Sequence, residues 1–163
     1  MIFHSKAKKC GSPFTESAMK DLSNFSSFDV EYEGYIYPTV EHAYQALKYS
    51  CTQNKNLVKV IRDEFADKTA VQAKSSGSKK EMKKRGITLD VKCWNEYSLP
   101  IMKKLILSKV QRHPEIRKII DVAREQNVRL VHFSRMDMYW GAHANGDKVT
   151  GVNHLGEIYM DLM

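Results

Sequence analysis

The spacing of apolar and polar positions divides the chain into a helical middle and an irregular, strand-bearing end. Val30, Tyr32, Tyr35 and Tyr37 alternate around Gly34, which predicts a short strand or hairpin. Pro38 follows, and Thr39 stands where it can cap a helix through VEHAYQALKYS. Leu57, Val60, Ile61 and Phe65 give one apolar helical face over 56–65, and a further short helix is expected over 67–74. Ser78 with Glu81 three residues on is a candidate capping box, and Gly86 would end that helix. Ser98 and Pro100 open a stronger helix, SLPIMKKLILSKVQ. Pro114 opens another, in which Ile116, Ile119, Ile120 and Ala123 make a clean helical stripe. RLVHFS reads as a strand. MDMYWGAHANGDKVTGVNHLGE then reads as a long loop turning at Asn145–Gly146, and EIYMDLM packs back onto the core. The expected class is α+β: a mostly helical single domain with a small β-sheet over 22–163, preceded by an N-terminal tail over 1–21.

One helix carries an unusual set of side chains. On VEHAYQALK, Val40, Ala43 and Leu47 share the face expected to enter the core. Glu41, Tyr44, Gln45 and Lys48 fall at i, i+3, i+4 and i+7, so they share another. A carboxylate, a phenol, an amide and an ammonium thus stack along two turns, each able to reach one small ligand. The same spacing also suits a solvated helix side with a loose Glu41–Lys48 pair, worth little to stability. Periodicity alone does not choose between them.

Composition narrows the class of partner. The 163 residues are 42% hydrophobic and 28% charged, with no apolar run long enough for a membrane span. The start, MIFHSKAKKCGSPF, lacks the apolar stretch of a secretory signal, so a cytoplasmic protein is expected. Cys10, Cys51 and Cys93 are odd in number with no close pair, which reads as free thiols in a reducing compartment. The six histidines are scattered, and no metal or cofactor is expected. Net charge is +7, which favours nucleic acid, nucleotides or phosphorylated metabolites. The segment 74–92 is strongly basic, with only Glu81 and Asp90 opposing its lysines and arginine, and is either a phosphate-holding face or a solvated helix.

LSNF at 22–25, YPTVEHAYQALK at 37–48, DMYWG at 137–141 and GVNHLG at 151–156 together resemble the NADAR family, also called YbiA-like proteins. The resemblance runs from about Leu22 to Met160. It implies an α+β N-glycosidase fold. It also implies cleavage of a ribosyl C–N bond, in riboflavin intermediates or between ADP-ribose and guanine in nucleic acid. Carried over by motif, the catalytic residues would be Glu41, Lys48 and Asp137. Asn24, Tyr44, Gln45, Trp94, Lys109, Trp140, Gly141, Asn153 and Gly156 would contact substrate. The chain departs from the family pattern at Cys93, His132 and His143, positions that bear on substrate preference.

The chemistry needs an anion near a sugar that develops oxocarbenium character, and a donor or acid near the departing base. Glu41 suits the first role, or that of a base activating water. Lys48 would stabilise the leaving group or attack the anomeric carbon and form a Schiff base. The second route needs a neutral amine, so its pKa must fall from about 10.4. Burial or nearby cations would lower it, and ionised Glu41 would raise it. Asp137 is either a second acid or a residue that folds its loop by accepting backbone amides. Trp94 and Trp140 would stack on a base, and Gly141, Gly151 and Gly156 would let backbone amides approach phosphate. The expected partners are ADP-ribosylated nucleic acid or a nucleotide-like small molecule. The alternatives are riboflavin intermediates as substrate, or a module that binds without turnover.

Overall fold

The computed structural model describes residues 2–3, 14–145 and 148–163. Cys10, His4 and Gly146 of the expected turn lie outside them, as does most of the N-terminal stretch 1–21. In chain order the elements are β1 (Ile2–Phe3), α1 (Glu16–Asp21), β2 (Val30–Tyr32), β3 (Tyr35–Tyr37), α2 (Val40–Leu47) and a 3-10 turn (Lys48–Cys51). There follow α3 (Leu57–Phe65), α4 (Ala70–Ser76), α5 (Lys79–Lys84), α6 (Val91–Arg112) and α7 (Pro114–Glu125). The chain closes with β4 (Val131–His132), β5 (His143–Asn145), β6 (Lys148–Thr150) and α8 (His154–Asp161). The class is α+β and mostly helical, as expected, with the β component divided among three two-stranded ladders. The residues form two compact units, a central one over 27–112 and a terminal one from 1–26 with 113–163.

The central unit is built around α2. Thr39 caps it by accepting from the His42 amide, as its position before the apolar run predicts. All eight residues of α2 are buried, because α3, α4, α6 and the β2–β3 hairpin all pack on it. His42 survives burial because both ring nitrogens are engaged, one by the Thr39 hydroxyl at 2.8 Å and the other by the Lys68 carbonyl at 2.8 Å. The hairpin turns at Glu33 and Gly34, both at positive φ (50° and 79°), so a two-residue loop is enough to reverse the chain.

Three expectations change here. The capping box lies at Thr69 and Gln72, with both halves made. Ser78 does cap α5, but the Glu81 carboxylate turns to Lys84 instead of back to the cap. The long helix starts at Val91, not Ser98, because Asp90 accepts from the Cys93 amide at 3.0 Å and supplies an earlier cap. Pro100 therefore lies inside α6, where it removes one helical donor at a cost of roughly 3 kcal/mol. The buried stripe Trp94, Ile101, Met102, Leu105, Ile106 and Val110 offsets that cost. The third change is that Cys51 and Cys93 form a disulfide, with Cα atoms 5.7 Å apart across 42 residues of sequence. Such a separation gives no signal in the chain; folding brings the end of the 3-10 turn against the first turn of α6, where the Asp90 amide also donates to the Cys51 carbonyl at 2.8 Å.

In the terminal unit β1 pairs in parallel with β4. Residues read as a tail thus supply both β1 and α1, and Thr15 caps α1 by accepting from the Ala18 amide. Phe3 is fully buried and lies edge-on to Tyr159, whose hydroxyl donates to the Leu22 carbonyl at 2.9 Å. The stretch expected to be loop contains an antiparallel ladder, β5–β6. No helix among the described residues is long and apolar enough to cross a membrane.

The disulfide makes the first prediction. Closing a loop of this length stabilises a fold by roughly 2–4 kcal/mol. Reduction, or Cys51→Ser without reductant, lowers the urea midpoint correspondingly; an unchanged midpoint would show that the pair contributes nothing.

Candidate active site

Burial turns the polar stripe of α2 into a connected chain. Glu41, Gln45 and Lys48 are only 5%, 5% and 9% exposed, which removes the solvated-side reading. Gln45 Nε2 donates to Glu41 Oε1 at 2.8 Å, and Lys48 Nζ donates to Gln45 Oε1 at 2.6 Å. The amide is locked in this orientation, since a flip would set its NH2 against the ammonium and its oxygen against the carboxylate. Lys48 Nζ also donates to the Gly77 carbonyl at 2.9 Å. Glu41 and Lys48 thus communicate through an amide placed one helical turn from each.

This arrangement decides the contest over the lysine. Burial pulls the Lys48 ammonium down from about 10.5 to about 8. Glu41 opposes the fall, while Lys79 and Lys74 add to it. A substantial fraction of the amine is therefore neutral at mildly alkaline pH. On the same helix Tyr44 packs against Trp94 of α6, ring centroids 4.9 Å apart and tilted at 55°. Lys109 lies on α6 as well, but fifteen residues from Trp94, about 22 Å along the axis. It is fully buried, with Nζ 5.4 Å from the Phe28 ring.

The remaining expected contacts belong to the terminal unit. Asp137 Oδ1 accepts from the amides of Tyr139 and Trp140 at 3.2 and 3.0 Å, the loop-folding arrangement. Residues 138–141 then bond to 152–155, through Val152 N to Met138 O and Leu155 N to Trp140 O. Asn153 is fully buried at φ 61°, accepts from the His132 amide at 2.9 Å and donates to the Leu130 carbonyl at 3.0 Å. Gly156 lets this asparagine in, since a Cβ there would collide with its side chain and with the Leu130 carbonyl. A Cβ at Gly141 would meet the His132 carbonyl at 2.7 Å. Trp140 lies edge-on to Tyr139, and Asn24 is buried in the same unit.

The model of the NADAR domain matches residues 2–163. The chain belongs to the NADAR family. Among curated relatives, the N-glycosidase YbiA of Shigella boydii is 26% identical over 142 residues, covering 87% of this chain and 78% of its own. An N-glycosidase of Nostoc punctiforme is 29% identical, with 86% and 81% covered. A chloroplastic riboflavin biosynthesis protein of Zea mays is 26% identical over 147 residues, only 22% of its length. The NMR structure of Escherichia coli YbiA superposes with a TM-score of 0.69 at 25% identity, over 99% of this chain and 81% of that one.

One residue of the cluster had no place in the motif reading. Gly77 supplies the carbonyl that holds Lys48, and a Cβ on it would lie 2.5 Å from Gln45 Oε1. The only trace in the sequence is a glycine between serines in SSGS, which resembles any helix end.

The lowered lysine pKa carries a sign. Between about pH 8 and 10.5 the unfolded chain binds more protons at this site than the folded one, so the Lys48 contribution to stability rises with pH across that window. Below the window it is flat. Urea titrations of the wild type and Lys48→Met at pH 7 and pH 10 should show the wild type gaining, relative to the variant, at most roughly 3 kcal/mol. A pH-independent difference would place the folded pKa near its ordinary value.

Proposed function

We propose that the chain is an N-glycosidase in which Lys48 is the nucleophile, and that its substrate is ADP-ribose linked to a guanine base of nucleic acid. The observation that carries the reading is the Lys48 amine: buried, lowered to about 8, and held by two acceptors rather than by a carboxylate. A glycosidase that relied on electrostatics alone would have no need of a neutral amine. The N-glycosidase relatives support the reaction class. The net charge of +7 supports a nucleic-acid substrate over a small metabolite.

The neutral amine attacks the anomeric carbon, and the ribosyl C–N bond breaks with its electron pair leaving on the base nitrogen, which takes up a proton. The new amine loses a proton, the ring C–O bond opens with protonation of the ring oxygen, and a protonated Schiff base results. Water adds to it, and departure of the lysine restores the amine and frees the sugar as its aldehyde. One water is consumed overall. Glu41, one amide away, offers the carboxylate that accepts and returns protons by way of the water consumed in the reaction, and Gln45 holds Glu41 and Lys48 in line. Tyr44 and Trp94 provide the aromatic pair for the base. Asn24, Asp137, Trp140, Gly141, Asn153 and Gly156 remain with the proposal as substrate-contacting or catalytic residues that the family pattern implies, as does Lys109.

A second reading, hydrolysis of phosphoribosylamino riboflavin intermediates, is favoured by the maize relative, a riboflavin biosynthesis protein.

The test is incubation with a guanine-ADP-ribosylated oligonucleotide, read by mass spectrometry for loss of the ADP-ribosyl group. Wild type removes it; Glu41→Ala and Lys48→Ala do not; Gln45→Ala slows it by roughly 10²-fold, as misplacement of the reacting groups does. Borohydride traps an adduct on Lys48, and the rate rises with pH to a plateau above about 8. An intact oligonucleotide with wild type overturns the nucleic-acid substrate, and cleavage of a phosphoribosylamino metabolite in its place establishes the second reading. Cleavage that survives Lys48→Ala removes the covalent route.

A further inference from the structure

The central unit holds a cavity of about 390 Å³ that none of Glu41, Gln45, Lys48 or Gly77 lines. Its volume falls in the range of small-ligand sites. One wall is the β2–β3 hairpin. Tyr32 pairs directly with Tyr35, and Tyr37 lies two residues on, so the strand period sets three phenols on one face while Glu31 and Ile36 take the other. Tyr37 is 3% exposed and forms the floor with Leu47 and Ile101. The helical side of the lining is cationic. Arg62 of α3 lies over the Tyr35 ring, 3.9 Å from its centroid, and pairs with Asp63, while Lys55, in the turn before α3, and Lys59 of α3 line the same cavity. Neither lysine takes part in an ion pair among the described residues. Tyr97 of α6 borders the opening and is 56% exposed.

We infer that this cavity binds a nucleotide unit of single-stranded nucleic acid, its base on the exposed ring of Tyr97 and its phosphates on Lys55 and Lys59. An exposed tyrosine and two lysines outside any ion pair of the described residues offer a stacking face and positive charge at one cavity. A stacked base and a phosphate answer both, since every base presents a π-face and each phosphate carries a charge. Glu33 is the only acid in the lining, so the site is unsuited to a cation. An acidic peptide would satisfy the lysines but leave the Tyr97 ring uncovered. A duplex hides the faces of its bases, which leaves a single strand as the fitting partner. The inference does not depend on turnover, because an unmodified strand occupies the cavity equally well.

The experiment is fluorescence anisotropy of a labelled, unmodified single-stranded oligodeoxynucleotide across a salt series. Tyr97→Ala weakens binding about tenfold, the size of one lost stacking partner, and Tyr97→Phe restores it. The doubly substituted Lys55→Ala, Lys59→Ala protein shows a salt dependence shallower by about 1.4 in log–log slope, about 0.7 per phosphate contact. Thermal melting accompanies each variant; Tyr97 and both lysines lie at the surface, so the fold is retained. Wild-type binding that neither variant weakens, or no binding at all, overturns the inference. So does displacement of the strand by adenosine monophosphate at equal concentration with no salt dependence, which would make the ligand a free nucleotide. Failure of the glycosidase assay leaves these outcomes unaltered, and failure here leaves the glycosidase assay standing.

Discussion

A helix buried on every side must settle its polar groups internally, and α2 carries a carboxylate and an ammonium into that setting. An unpaired charge in such a place costs several kcal/mol, and a direct ion pair would hold the lysine charged. The amide of Gln45 resolves the conflict: it donates to Glu41 with one end and accepts from Lys48 with the other. The pair is satisfied without contact, so desolvation rather than attraction governs the lysine. The rest of the central unit follows from keeping water out of this chain. α3, α4 and α6 cover the helix, and Gly77 brings a carbonyl to the lysine where any side chain would strike Gln45.

The terminal unit uses polar groups differently. Its candidate residues mostly shape backbone. Asn153 ties Leu130 to His132 from a left-handed conformation that asparagine tolerates, and Asp137 gathers two amides at the turn. Motif residues therefore need not be reactive to be required: the WG and GVNHLG blocks build a loop in which 138–141 bond to 152–155. The buried ionisable pair, Glu41 and Lys48, sits on α2 and the 3-10 turn that continues it, where geometry is set by packing and not by loop conformation.

Local signals were legible where one residue's chemistry is enough. Thr39 and Ser78 cap their helices, Pro114 opens α7, and the tyrosine alternation around Gly34 is a hairpin. The start of α6 was misplaced because Ser98–Pro100 imitates a helix opening while the true cap, Asp90, lies beyond a stretch with weak amphipathic pattern. The capping box moved for a similar reason, since Glu81 had a nearer cation in Lys84.

The chain by itself determined which groups share a helical face, because a 3.6-residue period is a property of spacing alone, and the i, i+4, i+7 series placed Glu41, Gln45 and Lys48 together. It also determined the family, through blocks whose order and separation are written in the sequence. Tertiary structure decided whether that face is wet or dry, and hence whether Lys48 is an ordinary ammonium or an amine near pH 8. It alone joined Cys51 to Cys93 and brought Gly77 to Lys48, contacts across 42 and 29 residues. The physical reason is that burial and long-range contact are properties of how elements pack, and no local spacing encodes the dielectric around a side chain.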